Sequence, residues 1–304
     1  MRYQRSDHFP RADLPGGIFH AMSDPRPLPW RNSALKRNVI ALSLLLLLSP
    51  AGLSCGTVPV TGRKQLSLIP GSTMLSMSDK QYGEFLKSNT ASTDQQQTQL
   101  VREVGASIRQ AVERYFAQEG LSDQLKGYRW EVNLVESKEV NAWCMPGGKI
   151  VVYTGILPIT QTKAGLAVVM GHEVAHAIAE HGNERMSQGL LAQMGGMGLA
   201  LALEKKPEQT KALWMTAFNV GAQYGALLPF SRLQESEADE LGLVFMAMAG
   251  YDPSEAVSFW QRMSQQKGGK SPPEFASTHP SDETRISNIK KLLPKVMKYY
   301  QKKS

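Results

Sequence analysis

Apolar positions recur with a helical period from Lys163 to Ser187, and no proline interrupts them. This stretch predicts an amphipathic helix. Helical spacing also runs through 76–118, where Tyr82, Phe85 and Leu86, and then Leu100, Val104, Ile108 and Val112, share a face. Gly120 to Gly127 breaks that pattern. Trp130 to Val135 alternates and predicts a strand; Lys149 to Thr154 predicts a second, entered through Pro146, Gly147 and Gly148. Residues 189–203 are apolar and carry Gly189, Gly195, Gly196 and Gly198. They read as a buried helix, or else as a mobile or membrane-apposed segment over a site. Further helices are expected over 211–228, over 231–249 up to Gly250, and after Asp252, with Asp252 as N-cap and Pro253 in the first turn. Residues 267–277 read as a Gly/Pro-rich loop, and a last helix opens at Asp282. Residues 55–75 lack periodicity and are rich in Gly, Pro, Thr and Ser, which predicts a tether or extended arm. The pattern as a whole is that of an α+β, mainly helical domain over 76–304 with a small sheet.

The 54 residues before the arm have a different character. Arg31, Lys36 and Arg37 precede an apolar run from Val39 to Leu48, too short to span a bilayer but suited to a signal-peptide core. Ala51 to Cys55 resembles a bacterial lipobox, with Ser54 just before Cys55; Gly52, where leucine is usual, departs from it. Residues 1–54 thus read as a leader and Cys55 as a lipidation site. Gly56 is not an aspartate, which in Gram-negative lipoproteins favours sorting to the outer membrane. The only other cysteine is Cys144, so acylation of Cys55 leaves no intramolecular disulfide. The net charge of +7 falls to +3 once the leader is set aside, and no basic cluster is interleaved with aromatic residues. Nucleic acid is therefore not expected as a partner. The basic run from Lys295 to Lys303 reads as a solvated tail.

The chemistry lies inside the first helix named above. Residues 172–176 read H-E-x-x-H. Positions four apart on a helix differ by about 40° around its axis, so His172 and His176 point the same way. Two imidazoles on one rigid face can bind Zn²⁺, and the adjacent Glu173 can act as general base on an activated water. Chance would place this pattern in a chain of this length about 1% of the time. A catalytic zinc needs a third protein ligand. His181 lies about 140° from His176 if the helix continues, and so points off the metal face. Metzincins place their third histidine six residues after the second, where this chain has Gly182. A carboxylate is the alternative. Glu235 and Asp239 are four apart on one expected helix, whereas Glu237 is about 200° from Glu235. Glu235 is therefore expected as ligand, and Asp239, one turn on, as acceptor from a ligand imidazole.

H-E-x-x-H followed by S-R-x-x-E-x-x-A-D resembles the zinc metallopeptidases of the HtpX, Oma, BepA and LoiP type, relatives of the CAAX prenyl endoprotease. The similarity extends over most of Trp130 to Ile289 and includes Asn141-Ala142-Trp143, Pro146 to Ile150, Thr278-His279-Pro280 and Arg285. It implies a gluzincin-type domain with one zinc per chain, held by His172, His176 and Glu235, with Glu173 as base. It implies His279 and Arg285 near the metal, as oxyanion stabilisers or, for His279, as a resting-state ligand. It also implies that the edge strand at Asn141, Ala142 and Trp143 lines the cleft and takes an extended substrate. Cys144, beside that edge, reads as a packed small residue. The chain lacks the several long apolar spans of the membrane-embedded members and is most similar to the lipid-anchored or soluble branch. The expected function is zinc-dependent endopeptidase action on unfolded or misassembled envelope proteins, from an outer-membrane lipoprotein facing the periplasm. The alternative is a periplasmic chaperone or assembly factor beside the outer-membrane assembly machinery, with proteolysis secondary. A catalytically silent scaffold is disfavoured by the intact Glu173 and ligand set.

Overall fold

The computed structural model describes residues 55–221, 228–266, Phe275, His279 and 283–300. The leader, most of the 267–277 loop, Thr278 and Pro280 lie outside the described residues, as do the lipobox positions before Cys55.

The described residues open with a small antiparallel ribbon, β1 (Cys55–Thr57) and β2 (Lys64–Leu66), with Cys55 opposite Leu66. Two helices follow, α1 (Gly71–Ser88) and α2 (Gln95–Gln118). The single helical stretch expected over 76–118 is broken because Asp94 starts a new helix: its side chain accepts from the Gln97 N–H at 2.9 Å, a standard N-cap. The sheet comes next: β3 (Glu131–Val135), β4 (Ala142–Met145) and β5 (Lys149–Tyr153), in the order β3-β5-β4. β5 pairs parallel with β3 and antiparallel with β4. Every residue of β5 is buried, as expected of a central strand covered on both faces. The β4–β5 turn holds Gly147 and Gly148 at φ 87° and 80°, a region open to glycine at little cost. A Cβ on Gly148 would also strike the Trp130 ring at 2.4 Å.

α3 (Lys163–Ile178) runs through the middle of the molecule and is buried along almost its whole length. Thr162 caps it by accepting from Gly165 N–H at 2.9 Å. It stops at Ile178, because Glu180 adopts a left-handed conformation, φ 53°. A new helix, α4 (His181–Ala202), leaves from there and returns as α5 (Glu208–Gly221). α6 (Leu228–Met248) then crosses α3, and α7 (Glu255–Gln265) and α8 (Glu283–Val296) close the core. α3 and α6 meet at two glycines. A Cβ on Gly171 would lie 2.9 Å from the Gly242 carbonyl oxygen, and one on Gly242 would lie 2.9 Å from the backbone of Gly171 and His172. This close approach lays the α6 carboxylates against the α3 histidines.

Three expectations are revised. Residues 55–75 are a paired ribbon and the start of α1, within the same compact unit as the rest, not a free arm. Residues 189–202 are helical but not buried, and Leu203 alone of the segment turns inward: Met186, Leu190, Met194, Met197 and Leu201 form an exposed stripe on α4. The buried face of α4 ends at Ser187, and beyond it α5 packs alongside, with Phe218 against Gly195 and Gly196. Finally, α7 starts at Glu255 rather than at Pro253; Asp252 instead accepts from Ser254 N–H at 2.8 Å and closes the turn before the helix.

Candidate metal centre

His172 and His176 project from one face of α3, and Glu235 reaches them from α6. Together with His279 they form a cluster in which one ligand atom from each lies within 4.8 Å of the others. The Nε2 atoms of His172 and His176 are 3.1 Å apart. Glu235 Oε2 is 3.3 Å from His172 Nε2, and Oε1 is 3.3 Å from His176 Nε2. Donors about 2.0–2.1 Å from a tetrahedral zinc are separated by roughly 3.3–3.4 Å. The three side chains therefore already have the spacing that such an ion requires. His279 Nδ1 lies 3.1 Å from His172 Nε2 and 2.9 Å from Glu235, so it closes the donor set from the fourth side.

The charges around the cluster suit a cation. Burial opposes ionisation of Glu235, but hydrogen bonds from His172, His176 and His279 outweigh it and hold its carboxyl well below the usual range. Burial keeps His176 neutral by pushing its pKa well down, which leaves its nitrogen free to coordinate. Glu173 is buried, and among the described residues its Oε1 has no hydrogen-bond partner, with His279 Nε2 the neighbouring polar group at 3.4 Å. An orphaned carboxylate oxygen inside a protein is costly unless something from solution meets it there. Burial pushes the Glu173 carboxyl up to about 7. Glu173 and His176 line a cleft of about 300 Å³ together with Asn141, just before β4, and Ala142 and Trp143 on it.

β4 is an edge strand, and its free side faces the cleft. Tyr153 N–H donates to the Asn141 carbonyl, so Asn141 turns its backbone toward β5. Backbone groups alternate along a strand, so Ala142 and Cys144 turn theirs outward. Ala142 N–H is held at 2.9 Å by the side-chain oxygen of its own neighbour, Asn141. Trp143 points to the other face of the sheet, against Tyr82 and Phe85. Cys144 is free and half-buried, and burial pushes its thiol up, which makes it a poor metal ligand.

Two further side chains take positions that spacing alone does not foretell. Arg285, read as an oxyanion donor, does not line the cleft. Its guanidinium is committed to Asp239, through Nε at 2.9 Å and Nη2 at 2.6 Å, and stacks 3.6 Å from the Trp260 ring centroid. Asp239 in turn meets His172 Nδ1 at 3.1 Å, and Arg285 Nη1 donates directly to Glu235 Oε2 at 3.3 Å, so Arg285 braces the metal face both through Asp239 and at Glu235 itself. His181, expected to point away, comes back to the cluster because the left-handed Glu180 ends α3 before it. Its Nδ1 lies 2.8 Å from His176 Nδ1.

With this geometry in view, the comparison with known proteins is direct. The profile of Peptidase family M48 matches residues 103–293, a span that contains the whole cluster. The chain belongs to peptidase family M48. This is a family of zinc metallopeptidases, and the His-His-Glu-His group is the set of side chains here that can hold the ion. Similar M48 proteins include the mitochondrial metalloendopeptidase OMA1 of Schizosaccharomyces pombe, 36% identical over 62% of this chain and 52% of that protein. The human mitochondrial metalloendopeptidase OMA1 is 30% identical over 79% of this chain and 46% of its own length. The beta-barrel assembly-enhancing protease of Escherichia coli is 26% identical over 52% of the chain and 33% of its length. The chain thus spans about half the length, or less, of the curated relatives it matches. Among the described residues no helix is long and apolar enough to cross a membrane.

Proposed function

We propose that this M48 chain is a zinc-dependent endopeptidase that cuts misfolded or misassembled proteins of the bacterial cell envelope. In this reading a lipid on Cys55 tethers it to the outer membrane, facing the periplasm. The observation that carries the enzymatic part is the spacing of His172, His176 and Glu235 around one point, with the orphaned Glu173 oxygen beside it. The leader pattern and Cys55 motivate the location.

Zinc, when bound, supplies a Lewis acid that polarises the scissile carbonyl and acidifies water. Glu173 takes the water proton on its carboxylate and returns it to the leaving amine, a transfer suited to a group whose proton affinity burial has raised toward neutrality. The outward Ala142 and Cys144 backbone of β4 pairs with an extended substrate and fixes its register. Asn141 releases Ala142 N–H for that pairing. His279 closes the donor set at rest, and once substrate displaces it its role in this reading is to donate to the oxyanion.

A second reading has its own support. The stripe of Met186, Leu190, Met194, Met197 and Leu201 is exposed, and no charged residue occurs between Arg185 and Glu204. Flexible, Met-rich apolar surfaces suit partners of varied sequence. It favours a chaperone role toward unfolded outer-membrane proteins, beside their assembly machinery, with proteolysis secondary.

Glu173→Gln separates the two. The variant should retain zinc and lose casein cleavage by about 10²-fold or more, the scale of general-base catalysis. Cleavage at the wild-type rate would refute the assignment of Glu173. Restoration of envelope integrity in cells by this inactive variant would favour the chaperone reading.

A further inference from the structure

We infer that Arg63, Glu237 and His181 form a buried positioning relay that holds the His176 imidazole in its metal-binding tautomer. The inference rests on the reading of His176 as a zinc ligand.

The relay can be followed atom by atom. His176 turns Nε2 toward His172 and Glu235, so Nε2 is its ligand atom and Nδ1 must carry the proton. That proton points at His181 Nδ1, 2.8 Å away, which must then be the acceptor. A neutral imidazole that accepts at Nδ1 carries its own proton on Nε2. His181 Nε2 lies 3.0 Å from Glu237 Oε2, so this second proton is donated to a carboxylate. Glu237 also accepts from Thr61 Oγ1 and from Arg63, so its carboxylate is held in place to receive the His181 proton. One orientation of each ring satisfies every step.

Arg63 anchors the far end. Its Nε donates to Glu237 Oε2 at 2.9 Å, while Nη1 and Nη2 each donate to Glu184 at 2.8 Å. Glu184 also accepts from Gln234, the residue before the ligand Glu235. One guanidinium from the β1–β2 ribbon therefore binds together the start of α4 and the α6 segment that carries Glu235. The arginine leaves one net negative charge on its two carboxylates, and that charge reaches His176 only through His181. Outer partners of this kind fix ring orientation and raise ligand basicity. The arrangement mirrors the other ligand, where Arg285 clamps Asp239 and Asp239 meets His172.

The test is zinc affinity, read by competition with a chromogenic chelator on the full chain, for Arg63→Met, His181→Ala and the double variant. Circular dichroism checks that each is folded. Each single change should weaken zinc by about 10- to 100-fold, the usual range for outer partners. The double variant should lose clearly less than the two single losses combined, because Arg63 acts on His176 through His181; any loss beyond His181→Ala reads the hold of Arg63 on the Glu235 segment through Glu184 and Gln234. Wild-type affinity in Arg63→Met, or losses that add in full in the double variant, would overturn the relay. Glu237→Gln, which keeps size and an acceptor oxygen, serves in the same cycle if Arg63→Met does not fold. A wild-type chain that binds no zinc, or a His176→Ala variant that binds it unchanged, would instead refute the ligand reading on which the relay rests.

Discussion

Glu173, His172 and His176 come from one turn of helix, and their roles differ because their surroundings differ. Glu173 faces the cleft with an oxygen that has no hydrogen bond among the described residues and lies 3.4 Å from His279 Nε2; the histidines face Glu235 and each has a partner behind it. These three residues were legible in the sequence, since the helical period alone decides which way each side chain points. The same argument selected Glu235 and set Asp239 one turn behind it. It misplaced His181, because the period holds only while the helix continues, and the left-handed Glu180 ends it. Arg63 was invisible for another reason: it reaches the site from more than a hundred residues away, and no local pattern marks such a contact. Asp239→Asn offers a test at this scale. It keeps the shape but removes the charge that Arg285 clamps and that His172 meets, so zinc affinity should fall by about 10- to 100-fold. A chelator titration matching wild type would show that Asp239 does not orient His172.

The elements carry the site through two contacts. The first is the crossing of α3 and α6 at Gly171 and Gly242, where neither side has room for a Cβ beside the facing backbone. Gly242→Ala should separate the helices, destabilise the fold by about 1–3 kcal/mol, as overpacking does, and loosen zinc binding with it. Unchanged denaturation and zinc affinity would contradict the crossing. The second is the free edge of β4. Ala142→Pro removes an N–H that points away from β5, so it should impair cleavage of an unfolded protein while zinc stays bound. Unchanged turnover would argue against strand addition. β3, β5 and the central helix could be read from period and from the Gly147-Gly148 turn. The exposure of α4 could not, since an apolar run reads the same whether its face meets a core or solvent.

At the scale of the whole molecule, ion and fold should support each other. The side chains that could hold the ion come from α3, α6 and His279, so an ion that binds only the folded chain adds about 2.7 kcal/mol at a hundredfold excess over its Kd. Removal of zinc should lower the melting temperature accordingly. Acid should act through Glu237. Its carboxyl is held down to about 2 when folded, against the ordinary 4.5, so its contribution is complete above pH 4.5 and is lost as pH falls toward 2. Glu237→Gln should flatten the dependence of stability on pH in that window, as read by denaturant unfolding at successive pH values. The family profile and the ligand spacing agree on a zinc centre at one place in the chain. Anomalous diffraction at the zinc edge tests this most directly. A single peak about 2.0–2.2 Å from His172 Nε2, His176 Nε2 and a Glu235 oxygen is the predicted result. A zinc-loaded crystal with no peak there, or with its peak on other side chains, would contradict the account.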